Sequence, residues 1–276
     1  MTESELTESE PPGAAGHPAP AVPVGPVPAP GGGPGRVPGT APRPDAVRSR
    51  PAPYGSRGPR EPGPRGRCAE AAVRRYLDRR PEATVVALGE GLGTGFWRLD
   101  NGRLTWLTVA PPETAAVRRI LLPDGPRRRT VARAAADHGW LDAVPEPRRG
   151  VVVTAAGVLM RLPPPEVRAL LAACAERFPG GALVFDVLPR RSAALARRCG
   201  ALAGGRWAAP VRWSLDRAEL PRVASAHPGI VAVRELPVPP ARLPAASLRR
   251  PAAYRHRVPV LRALLPLVCE VRFAGP

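Results

Sequence analysis

The chain has no lysine: all 41 of its basic residues are arginine. Aromatic residues are also scarce, at 4%. A chain so poor in rings lacks the stacking surface of a single-strand nucleic-acid platform. The net charge of +18 suits a polyanion. However, the arginines are scattered, mostly in pairs such as Arg74-Arg75 and Arg190-Arg191, and only Arg127-Arg128-Arg129 forms a longer run. With no zinc-finger or ribonucleoprotein motif, the charge reads as compositional bias and predicts no specific nucleic-acid partner; an arginine-rich nucleic-acid binder is the competing reading. Cysteine is equally sparse. Cys68, Cys174, Cys199 and Cys269 lie far apart, without a CxxC pair or a matching histidine pair. That excludes a zinc finger and argues against a disulfide framework. No apolar run approaches the ~18 residues of a membrane span. The most apolar tail segment, 258–268, is broken by Pro259, Arg262 and Pro266. The first ten residues are acidic, the reverse of a signal peptide. Together these absences predict a soluble, cytoplasmic protein with no membrane partner and no metal. They leave the oligomeric state open.

What is abundant is proline, with 40 residues, and glycine, with 28. Both concentrate in residues 1–64, which bury too little apolar area to offset the entropy of ordering and are expected to be a disordered tail. Polyproline stretches are expected there, around 18–30. From residue 65 the texture changes to that of one folded domain, 65–276. A helical apolar spacing covers 69–79, and a buried strand follows at 84–89. A short helix around 96–99 leads to a second strand at 104–109. Pro112 and Glu113 open a helix running to Leu122. Further strands are expected at 130–134, 150–155, 182–186, 230–236 and 269–273. Helices are expected at 164–178, with Val167, Leu170, Leu171, Cys174 and Phe178 on its inner face, at 192–199, and from an Asp216 N-cap to Ala226. This alternation predicts an α/β fold with a mostly parallel, Rossmann-like sheet and an antiparallel C-terminal strand pair.

The first strand ends in Gly89, Gly91, Gly93 and Gly95. A glycine-rich turn between a parallel strand and a helix lets the backbone approach a ligand and can require φ > 0, which points to a nucleotide-like cofactor. The spacing departs from Gly-x-Gly-x-x-Gly and is closer to the Gly-x-Gly-x-Gly turn of S-adenosylmethionine-dependent methyltransferases.

The surrounding words carry a more specific resemblance. They are Val85-Val-Ala-Leu-Gly-Glu-Gly-Leu92, Phe96-Trp-Arg-Leu-Asp-Asn-Gly102, Trp106-Leu-Thr-Val109 with Pro112-Glu113, Asp137-x-x-Trp140-Leu-Asp142, Val152-Val-Thr-Ala-Ala-Gly-Val-Leu-Met160, Phe178-Pro-Gly-Gly-Ala-Leu-Val-Phe-Asp186, Arg212-Trp-Ser-Leu-Asp216 and His227-Pro-Gly229. In this order, over nearly all of 65–273, the chain resembles the leucine carboxyl methyltransferase-like family of class I methyltransferases, which includes O-methyltransferases of polyketide intermediates. The resemblance implies S-adenosyl-L-methionine as cofactor and a small-molecule substrate. It implies that Arg65, with Arg67 as a competing register, holds the cofactor carboxylate. It further implies that Gly89, Glu90, Gly91 and Gly93 wrap the methionine part, that Asp137 approaches the adenine amino group, and that Ala155 and Ala156 lie beside the methyl donor. Competing readings make Asp137 a cap and Glu90 a surface residue.

The chain also departs from that pattern. Ala110 stands where the family has an acid for the ribose hydroxyls; losing that pair costs on the order of 1–3 kcal/mol, and Glu113, one turn on, is the candidate to compensate. Ala156 replaces a frequent acid, Arg161 a tyrosine, and Gly93 an acid of the glycine turn. The family's helical cap is replaced by the Pro/Gly tail. A carboxylate acceptor needs no base, whereas a hydroxyl does. His138, His227 and Tyr254 are the candidates, with His138 first because it follows Asp137. The expected activity is O-methylation of a small-molecule carboxylate or hydroxyl, possible in polyketide-type metabolism. The alternative is an impaired methyltransferase-fold protein acting as a binding module.

Overall fold

The computed structural model describes residues 62–202, 210–238 and 263–275. The expected tail up to residue 61, its polyproline stretch and Tyr254 lie outside the described residues.

Seven strands form one sheet: β1 (Thr84–Leu88), β2 (Thr105–Ala110), β3 (Arg128–Ala132), β4 (Val151–Ala155), β5 (Ala182–Val187), β6 (Ile230–Glu235) and β7 (Leu267–Phe273). Their order is β3-β2-β1-β4-β5-β7-β6. The first five in that order run parallel, and β7 pairs antiparallel with both β5 and β6. The α/β expectation and the antiparallel C-terminal pair are both present. Every residue of β1 is buried, as a central parallel strand covered on both faces requires. Val86 and Leu88 join a core with Trp140, Leu170 and Phe178 on one face of the sheet. Val85 and Ala87 join Tyr76, Phe96 and Trp106 on the other. This period-two division explains why β1 reads as an unbroken apolar run.

Six helices complete the described body: α1 (Pro64–Leu77), α2 (Gly95–Leu99), α3 (Pro112–Leu121), α4 (Pro164–Arg177), α5 (Arg190–Leu202) and α6 (Leu220–Ala224). α1 begins earlier than its apolar spacing suggests, because Pro64 supplies the fixed φ and missing N–H suited to a first turn. α4 buries Val167, Leu170, Leu171 and Cys174, with Phe178 at its C-terminal end, as expected. The helix expected from Asp216 is instead a 3₁₀ turn, Arg217–Glu219, followed by the short α6. β3 lies two residues earlier than expected. The arginine run obscured it: Arg127 donates a bidentate pair of hydrogen bonds to the Asp100 carboxylate, and Arg128 stacks 4.4 Å over the Trp97 ring. The longest basic run is therefore committed to holding an edge strand.

The order 3-2-1-4-5 reverses direction between β1 and β4, creating a crevice beyond their C-terminal ends. Among the described residues no helix is long and apolar enough to cross a membrane.

Candidate cofactor site

A cavity of about 380 Å³ opens at this crevice. Its walls come from the segments after four parallel strands: Gly89 and Gly91 after β1, Ala110 and Thr114 at the β2–α3 junction, Ala134 and Ala135 after β3, and Ala156, Gly157, Val158, Arg161 and Leu162 after β4. The lining is largely apolar, with Thr114 and Arg161 as its hydroxyl and its cation.

The four glycines of the turn divide into two pairs with different duties. Gly89 and Gly91 have φ of +62° and +60° and line the cavity. At Gly91 nothing would lie within 4 Å of an added Cβ, so its open side is free space. Gly93 and Gly95 make room for Glu90: a Cβ at Gly93 would fall 2.4 Å from the Glu90 Cγ, and one at Gly95 2.8 Å from its Oε1. The Glu90 side chain therefore points inward, largely buried, and does not line the cavity. Its carboxylate accepts from Gly95 N (2.8 Å), which opens α2, and from Trp106 Nε1 and Thr108 Oγ1 (both 3.2 Å) on β2.

The sequence reading missed Arg118. This α3 residue is 1% exposed and donates to Gly91 O (2.6 Å), Gly93 O (2.9 Å) and Glu90 Oε2 (3.3 Å). Burial pushes its guanidinium pKa down, and the Glu90 carboxylate opposes that shift. With two carbonyls of the turn held from below, the turn's shape is set before any ligand arrives. Its signal in the sequence is periodicity: Ala115 and Arg118, three apart, are the buried pair of α3.

The remaining predicted residues fall in different places. Ala155 is fully buried in β4, and Ala156 lines both this cavity and a second one of about 320 Å³. Arg65, in the first turn of α1, lines the second cavity and pairs with Asp186 at 2.6 Å. Asp186 also accepts from Gly157 N, tying the β4 loop to the start of α1. Arg67 instead donates to Pro62 O. Glu113 is exposed and outside the cavity wall, where Thr114 stands. Asp137 caps the 3₁₀ turn that follows, accepting from Gly139 N, and pairs with Arg133 at 2.7 Å. The Arg133 hydrogen bond holds its carboxyl below the ordinary range, helped by the Gly139 N–H. His138 follows it on the same turn, partly exposed. His227 lies elsewhere, accepting from Gly229 N and facing Glu176 at 3.2 Å.

No protein-family model matches the chain. The tetracenomycin polyketide synthesis O-methyltransferase TcmP of Streptomyces glaucescens is 32% identical to it over 117 residues, 42% of this chain and 43% of TcmP. The match thus spans less than half of that relative. Among solved structures, a DUF574 family protein from Streptomyces avermitilis aligns over 77% of this chain and 83% of its own, with a TM-score of 0.51 at 14% identity; the likeness is one of fold. A Burkholderia thailandensis 1,6-didemethyltoxoflavin-N1-methyltransferase, solved with 1,6-didemethyltoxoflavin and S-adenosylhomocysteine bound, aligns over 76% of this chain and 79% of its own at 18% identity and a TM-score of 0.46. The chain is similar in sequence to a polyketide O-methyltransferase, and its fold is Rossmann-like.

Proposed function

We propose that this protein is an S-adenosylmethionine-dependent O-methyltransferase of a small-molecule acceptor, working in the cytoplasm in polyketide-type metabolism. The observation that carries the reading is the cavity at the sheet's switch point, walled by two glycines with positive φ in a chain similar to TcmP. The wall suits the cofactor's parts. Gly89 and Gly91 leave backbone room for the methionine portion. Val109, Ala134, Ala135 and Leu162 offer apolar sides for the adenine. Thr114 lines the cavity and Glu113 does not, which supports Thr114 as the partner of a ribose hydroxyl. When bound, S-adenosylmethionine supplies a sulfonium methyl for in-line transfer to an oxygen nucleophile.

The second cavity is the proposed acceptor pocket. Ala156 lines both cavities, and the methyl is proposed to pass beside it. Ala69, Val184 and Val268 line the acceptor side, with Arg65 and Asp186 as its charged groups. In this reading Arg65 is the group that would hold a carboxylate acceptor and Asp186 the group that would meet a hydroxyl.

The impaired-module reading has its own observation: Ala110 offers no acceptor to a ribose, and Asp137 is engaged by Arg133. Calorimetric titration of the full chain with S-adenosylhomocysteine separates the two. A saturable one-site isotherm is expected. No heat at millimolar ligand sinks the enzyme reading.

A further inference from the structure

A third cavity, again about 380 Å³, lies between α4, the start of α5, residues 211–215 and α6. Its floor is apolar, with Val167, Leu171, Leu215 and Val223 all buried and Trp213 beside them. Its rim is cationic: Arg168, Arg190, Arg212 and Arg222 converge on it from four segments.

Among the described residues Glu219 is the one carboxylate of the lining, and it is shared. It accepts from Arg190 Nε (3.0 Å), from Arg222 Nη1 (3.1 Å) and from the backbone N of Asp216 (3.1 Å). Asp216 lies 3.8 Å from Arg190 and accepts from its backbone N–H. Four guanidinium groups thus face two carboxylates, and neither carboxylate reaches Arg168 or Arg212. Like charges gathered around an apolar hollow repel one another until an anion enters. A ligand with only a charge would leave the floor wet, and one with only an apolar body would leave the cations unmatched.

We propose that this cavity is a binding site for an amphiphilic organic anion, an apolar ring or chain bearing a carboxylate, sulfonate or phosphate. The body lies against Trp213 and Leu171, and the head group is held by Arg168 and Arg212. The volume falls in the range of small-molecule sites. The site is separate from the two cavities at Ala156 and does not depend on the methyltransferase reading.

The test uses 8-anilinonaphthalene-1-sulfonate, an aromatic sulfonate, as probe in fluorescence titrations of the full chain. Saturable one-site binding is expected. Arg168→Gln with Arg212→Gln should weaken it about tenfold, the scale of lost charge-assisted hydrogen bonds. Arg79→Gln with Arg148→Gln removes the same charge from exposed positions outside the cavity and should leave the affinity within about twofold. Saturating S-adenosylhomocysteine should not displace the probe. Thermal melts establish that each variant is folded, and a double variant that has lost its cooperative melt is replaced by the two single ones. Equal binding by all variants, displacement by S-adenosylhomocysteine, or equally good binding of the neutral N-phenyl-1-naphthylamine overturns the proposal.

Discussion

Glu90 and Arg118 show how a single residue acquires its meaning from neighbours far along the chain. Glu90 sits among glycines and reads as part of a ligand-binding turn, while Arg118 reads as one of many scattered basic residues. In the fold they meet beneath the turn, with Arg118 supporting two of its carbonyls. Replacing Arg118 by Met should leave Glu90 with one fewer partner in a largely buried place. The cost is about 3 kcal/mol, the low end for a broken buried pair because Glu90 keeps some exposure. Glu90→Gln with Arg118→Met should recover part of that stability, as the uncompensated charge is gone. Urea unfolding of the two variants measures both values. A double variant as unstable as Arg118→Met alone means that the ion pair is not the source of the loss. The same neighbourhood explains Gly93: Gly93→Ala should destabilise the chain but be tolerated when Glu90 is also Ala, because the clash is with that side chain.

At the scale of elements, the junction between β2 and α3 supplies Ala110, Pro111 and Thr114 to the cavity wall. Periodicity and proline placement predicted both elements closely, since each signal is local. The same reasoning picked Glu113 for its charge, but helical geometry turns Glu113 to solvent and Thr114 to the cavity. Thr114→Val should therefore weaken S-adenosylhomocysteine binding several-fold, on the order of one lost hydrogen bond, and Glu113→Gln should leave it unchanged. Ala110→Asp, which puts a carboxylate at the end of β2, should tighten binding on the order of tenfold. Calorimetry reads all three. If Glu113→Gln is the variant that loses affinity, the register at this junction is misassigned.

At the scale of the molecule, a basic chain distributes its few acids as anchors. Glu82, Asp100, Asp137 and Glu219 are all held below their ordinary pKa, in each case chiefly by a hydrogen-bonded arginine: Arg103, Arg127, Arg133 and Arg190 respectively. A carboxyl whose folded pKa is depressed contributes stability that is present above its unfolded value, about 3.9 for Asp and 4.3 for Glu. That contribution is lost as pH falls through the folded value. The thermal midpoint should therefore stay level from neutrality to about pH 5 and fall steeply below about pH 4. Scanning calorimetry across that range checks it. A midpoint that rises on acidification contradicts the sign of these shifts.

The sequence by itself determined the alternation of strand and helix, the parallel character of the first strands and the location of the glycine turn. Each of these is written in local signals: apolar runs, proline at first helical turns, glycine after a strand. Only the tertiary structure decided which glycines line the cavity and which make room for Glu90. It also decided that Arg118 is buried, that Arg65 pairs with Asp186, and that four arginines from separate segments surround one hollow. The Arg118 and Arg65 contacts join residues 25 to 121 positions apart. Direction and distance between such residues are set by how the sheet stacks its strands and packs its helices, and no local pattern encodes that.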